Sequence, residues 1–220
     1  VSTLSARPPH RVEFLSDGVF AIALTLLTID VVAATKGIEA GQSLVDHLLH
    51  EWSAIIAYPI GFTTLLVIWV NHHRIFHFVD RVDTGLLWLN GLVLLLVAGT
   101  PIPTALLADH FLGPEEALPV ALYLSTFVLI PSLFWLMWIY AERRGLLSPE
   151  HDPAGYPGMK WIYLWVALWA GLALVIGYFG SVFSLILLFA SFAAIASPAS
   201  ASRVVARLRA RRAGRSSGLA

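Results

Sequence analysis

The chain has no cysteine. Disulfides, thiolate metal sites and cysteine nucleophiles are therefore excluded, and redox chemistry says nothing about its compartment. Charge is scarce too: only 13% of the 220 residues are Asp, Glu, Lys or Arg. Hydrophobic residues make up 58%, and the mean hydropathy is +0.77. A soluble domain of this length cannot hide that much apolar surface, so the composition points to an integral membrane protein. No HExxH, no GxSxG and no carboxylate pair at ligand spacing occurs, which leaves the common hydrolase and zinc-enzyme signatures unrepresented. The polar first thirteen residues lack the pattern of a cleavable signal peptide, so the first apolar run is expected to direct its own insertion.

Apolar runs of spanning length recur six times, at about 14–34, 53–76, 85–107, 117–141, 160–178 and 181–198. The fifth and sixth are nearly continuous and are expected to form a hairpin around Gly177 and Gly180. Residues 43–52, SLVDHLLHEW, are too short and too polar to span, and read as a short amphipathic helix at the interface. The basic residues orient the whole. Arg7, Arg11, Arg74, Arg81, Arg143, Arg144, Lys160 and the six arginines from Arg203 to Arg215 place 13 of the 14 Lys and Arg on one side, with Lys36 alone on the other. Positive-inside bias then puts both termini in the cytoplasm. The expected fold is thus an all-α, polytopic cell-membrane protein: a six-helix domain over residues 1–200 and a basic tail over 201–220. The tail, right after a span, suits anionic lipid headgroups or topology better than nucleic acid.

The first span carries an acid. Phe14 to Ala34 reads FLSDGVFAIALTLLTIDVVAA, with Asp17 inside it and Arg11 just before it. A carboxylate at membrane depth marks a packed polar cluster or an ion pathway. On the same helix Ile22, Leu26 and Ile29 fall at i, i+4 and i+7, with Thr25 beside them. At about 100° per residue Asp17 points roughly 140° away from that stripe. It is therefore expected to be a structural clamp and not a ligand in a pore.

Its partners are sought at the same depth. The second span ends in WVNHHR and the third begins with DTGLLWLN, so Asn71, His72, His73, Arg74, Asp83, Trp88 and Asn90 reach one level. Polar groups there must pair or cost several kcal/mol each. A shared network of Ser16, Asp17, one of the two histidines and Asn90 is the expectation. Proton sensing is a second reading of this cluster, and catalysis or metal binding a third. Adjacent histidines diverge on a helix, so His72 and His73 cannot both hold one ion.

RVEFLSDGVFAIALTLLTIDV, WVNHHRIFHFVDRVDTGLLWLNGLVLLL and TPIPTALL, in that order and spacing, resemble the transmembrane protein 175 family in its bacterial branch. The resemblance covers the first three spans; the others match in hydropathy. It implies a potassium-permeable channel without the TVGYG loop, which this sequence also lacks. It further implies a homotetramer with the first span lining a central pore, no cofactor, and K+ as the permeant ion. By position, Ile22 matches the main apolar constriction, Leu26 and Ile29 further rings, and Thr25 a layer involved in potassium preference. Arg11, Ser16 and Asp17 match the signature that braces the pore helix. The family's Phe is Leu15 here, a change expected to loosen packing behind that brace.

Without the resemblance, an Ile/Leu stripe of this kind is ordinarily helix packing. A proton-coupled secondary transporter is the competing class, with Pro59, Pro101, Pro103 and Pro131 as candidate helix breaks. The tryptophans mostly fall near span ends, the usual interfacial belt.

Overall fold

The computed structural model describes residues 8–34, 36, 43–110, 113–148, 156–177, 180, 182–186 and 188. Their elements are α1 (His10–Ala34), α2 (Leu44–His50), α3 (Trp52–Phe78), α4 (Thr84–Gly99), α5 (Pro101–His110), α6 (Ala117–Arg144) and α7 (Tyr156–Gly177). Among the described residues five segments are long and apolar enough to cross a bilayer, α4 and α5 together forming one of them. The protein is an all-α, multi-pass membrane protein. Helices dominate because a spanning segment must satisfy its backbone groups internally.

The expected first span starts earlier, at His10, and the third runs on to His110. That third span breaks at Thr100 because Pro101 and Pro103 supply no N–H to the helical ladder. Threonines repair the break: Thr100 Oγ1 donates to the Leu96 carbonyl at 2.9 Å and Thr104 Oγ1 to that of Thr100 at 2.9 Å. Pro59 and Pro131 sit inside α3 and α6 without ending them.

Residues 182–186 are helical, while most of the expected sixth span and the whole basic tail lie outside the described residues. The expected turn falls mostly outside the described residues, but Ser184 Oγ lies 3.2 Å from where a Cβ on Gly177 would stand. Leu188 packs in one cluster with Ala170 and Ala173 of α7. A continuous helix would hold Ala170 and Leu188 about 27 Å apart.

The helix α1 packs against α3, α4 and α5, and α6 against α4, α5 and α7. The main core runs from Phe20, Ala23 and Leu27 of α1 through Leu65 and Ile75 to Val93, Val97 and Phe134. At the arginine-rich end the α3–α4 connection pairs with the residues after α6. Asp80 N–H donates to the Leu146 carbonyl at 2.9 Å and Ser148 N–H to that of Phe78 at 2.9 Å. Gly145 ends α6 at φ +63°, the left-handed turn that glycine adopts without Cβ strain.

Candidate functional site

The sequence of α1 divides it into two faces. Ser16, Phe20, Ala23 and Leu27 recur at i, i+4, i+7 and i+11 and are all buried against the chain. The opposite face stays open. Ile22 is 62% exposed, Leu26 39% and Ile29 57%, and Gly18, Ala21, Thr25 and Thr28 flank them on the exposed side. Thr25 Oγ1 donates to the Ile22 carbonyl at 2.8 Å. The hydroxyl proton is therefore used internally, and the oxygen lone pairs are left to accept from water or to face a cation.

Behind that face lies a chain of hydrogen bonds linking three helices. His72 Nε2 on α3 donates to Asn90 Oδ1 on α4 at 2.7 Å, since an amide oxygen only accepts. Asn90 Nδ2 donates to Ser16 Oγ on α1 at 3.1 Å. Ser16 Oγ donates to the Val12 carbonyl at 2.8 Å. Ser16, His72 and Asn90 are all buried. The His72 ring is wrapped by Phe20, Phe76 and Phe134, with centroids 5.4, 4.7 and 6.3 Å away. An apolar wall around this polar chain makes each bond in it costly to lose.

The acid takes a neighbouring place. Asp17 Oδ1 accepts from the indole N–H of Trp69 on α3 at 2.8 Å, on the flank of α1 between its buried and open faces. His73 stacks on Trp69 at 5.8 Å. Of the two histidines, His72 joins the chain to Asn90 and His73 supports the indole that holds Asp17. The expected single network is thus two adjacent braces. Trp69 was not among the expected members; its N–H, three residues before His72 and level with an intramembrane acid, was the available signal.

Two expected members stand elsewhere. Trp88 is 74% exposed on α4 and lies apart from both braces, because Asn90, two residues on, takes the inward direction. Arg11 is exposed in the first turn of α1. Leu15 is also exposed, so the change from Phe does not loosen packing behind the braces within the subunit, contrary to expectation.

A separate cluster fixes the arginine-rich end. Asp83 caps α4, its Oδ1 accepting from Leu86 N–H at 2.9 Å, while its Oδ2 accepts from Tyr140 Oη at 2.9 Å and Arg144 Nε at 3.4 Å. Burial pushes the Asp83 carboxyl up, but the bonds from Leu86, Tyr140 and Arg144 and the guanidinium charge outweigh it and hold the group below its usual range. Lys160 of α7 donates to both Glu142 oxygens at 3.1 and 3.0 Å. Among the described residues no three His, Asp or Glu side chains converge as a metal-ligand set.

These geometries can be set beside known proteins. The family model described as "Endosomal/lysosomal potassium channel TMEM175" matches residues 11–101, the stretch that carries both braces. A protein of Chamaesiphon minutus named as a potassium channel is 41% identical over 143 residues, covering 64% of this chain and 70% of its own. The chain belongs to the TMEM175 family. A second relative named as a potassium channel, from Streptomyces collinus, is 41% identical over 144 residues, 64% of this chain and 69% of its own. A crystal structure of a lysosomal potassium-selective channel TMEM175 homolog from Chamaesiphon minutus superposes with a TM-score of 0.70 at 31% identity, covering 85% of this chain and 95% of that one. The family model thus covers the first part of the chain, and the superposition extends the shared fold to 85% of it.

Proposed function

We propose that this protein is a potassium-permeable cation channel of the cell membrane, built from four identical subunits with the exposed face of α1 lining a central pore. Membership of the TMEM175 family sets it among ion channels and not enzymes. The observation that carries the pore assignment is the split character of α1: braced through Ser16 and Asp17 on one side, open along Ile22, Leu26 and Ile29 on the other. Hydrophobicity alone does not separate pore from lipid, since lipid tails are as apolar as Leu. The small residues do favour a helix–helix contact. Gly18, Ala21, Thr25 and Thr28 form a strip beside the aliphatic ridge, which suits close approach of identical helices around an axis.

From Ile22 to Ile29 four such ridges would stack apolar rings over roughly 10 Å of path. A constriction of this kind closes by dewetting, and a small rotation or spreading of the helices admits water and cations. Selectivity is modest in this reading, because no ring of backbone carbonyls replaces the hydration shell. The outward lone pairs of Thr25 supply the preference for potassium. Ser16, Asp17, Trp69, His72 and Asn90 hold the helix and do not touch the ion. The basic loops and both termini face the cytoplasm.

The transporter alternative needs free ligands at a helix break. At the Thr100 break, the Val97 carbonyl that Pro101 leaves without its helical donor accepts from Thr100 N–H at 3.2 Å, and that of Leu96 accepts from Thr100 Oγ1 at 2.9 Å. The deciding experiment is the reversal potential of the purified protein in liposomes under opposed potassium and sodium gradients. A value that follows the potassium gradient supports the channel. Saturating flux driven only by a proton gradient would replace it with the transporter.

A further inference from the structure

The short helix α2 turns its apolar side away from the rest of the chain. Its polar His47 is buried, while Leu44, Val45 and Leu49 are 56, 64 and 67% exposed. On a helical wheel these three, with Leu48, share one side, and Asp46 and His50 the other. The chain passes through Glu51 directly into α3, whose first exposed residues, Trp52 and Ile56, are apolar as well. The apolar side thus continues from α2 onto the outer end of α3. Trp52 and Ile56 also wall a cavity of about 90 Å³ between α3, α5 and α6, shared with Ile60, Thr104, Leu107 and Leu185.

We propose that α2 and the adjoining end of α3 form a lipid-binding surface, with phospholipid acyl chains lying under α2 and one chain entering the cavity beside Trp52 and Ile56. Three features favour lipid over a second protein surface. The apolar side is continuous with the bilayer-embedded part of α3. Trp52 stands at the end of a span, where indoles meet the headgroup level. The polar flank of α2, Asp46 and His50, is exposed too, as in a helix floating between acyl chains and water. Because α3 also carries Trp69 and His72, an occupied surface here bears on the helix that holds α1 in place.

The absence of native cysteine makes the test clean. Single variants Val45→Cys, Leu49→Cys, Ser53→Cys, Asp46→Cys and His50→Cys are labelled with bimane and placed in nanodiscs of phosphatidylcholine brominated along its acyl chains. Ser53 stands at the cavity wall. The proposal expects bimane fluorescence to be lost at positions 45, 49 and 53 and retained at 46 and 50, where aqueous iodide quenches it instead. Retained fluorescence at 45 and 49 overturns the surface. Shielding of those two sites from both quenchers assigns it to a subunit contact, and quenching by iodide assigns it to water. Loss at 45 and 49 with retention at 53 removes the acyl chain from the cavity. None of these readings depends on ion flux, so their failure leaves the channel assignment standing.

Discussion

Replacing Asn90 by Leu tests the brace behind α1. Leu has the same branched outline and is bulkier, so no cavity is created; the loss is polar, with some overpacking added to it. His72 Nε2–H, buried and ringed by three phenylalanines, loses its only acceptor shown, Asn90 Oδ1. A buried donor left unpaired costs about 1–3 kcal/mol. The lost bond to Ser16 adds roughly 0.6 kcal/mol, the mean for interhelical hydrogen bonds in a bilayer. Ser16 itself keeps its bond to the Val12 carbonyl. His72→Phe alone leaves Asn90 Oδ1 unpaired, but the double variant removes both partners while keeping an aromatic ring in the pocket. The double variant is therefore expected to be destabilised by less than the sum of the two single ones, with a coupling of about 1–2 kcal/mol. Equilibrium unfolding in mixed detergent–SDS micelles measures all four corners of the cycle. Additive single costs, or an Asn90→Leu protein as stable as the parent, would show that the chain from His72 to Ser16 does not brace α1.

Three further outcomes follow from the same geometry. Asp83→Ala should cost about 0.5–2 kcal/mol at neutral pH through loss of the α4 cap. Because the folded carboxyl lies below its ordinary value of about 3.9, that stabilisation is complete above this pH and lost as pH falls through the folded value. The gap in thermal midpoint between parent and variant should accordingly shrink below about pH 4. In Gly85→Ala the new methyl group meets Tyr140 Oη, which must move away from Asp83. Thermal denaturation should show a loss of about 1–3 kcal/mol that a Tyr140→Phe background partly relieves. Thr25→Val keeps the shape of the α1 ridge and removes its outward oxygen, so bi-ionic reversal potentials should show a smaller preference for potassium over sodium with conduction retained.

Much of this architecture was legible in the chain. Long apolar runs define spans because the bilayer leaves few alternatives, and Pro101 with Pro103 announces the break in the third span. Helical period groups Ile22, Leu26 and Ile29 on one face of α1, but it does not say that this face, and not the equally apolar Phe20, Ala23 and Leu27, is the open one. What periodicity does not carry is the rotation of one helix against its neighbour. That rotation selects His72 over His73 for the Asn90 amide, turns Trp88 outward, and gives Asp17 an indole partner in place of an imidazole. Trp69 looked like one more belt residue because composition records an indole and not the direction of its N–H. The outward turn of α2 is of the same kind: its amphipathic pattern was visible, while the side facing the chain depends on the corner at Glu51.

The central claim is that the ridge from Ile22 to Ile29 borders the ion path, and cysteine accessibility at Ile22 tests it most directly. Ile22→Cys is the sole thiol in the protein, and Ala23→Cys, one residue on and buried against the core, is its control. Charged methanethiosulfonate reagents applied to conducting channels should change the current through Ile22→Cys irreversibly and leave Ala23→Cys untouched. An Ile22 thiol that reacts with no change in current, or that is reached only by lipid-soluble reagents, would place the ridge against lipid and contradict the pore.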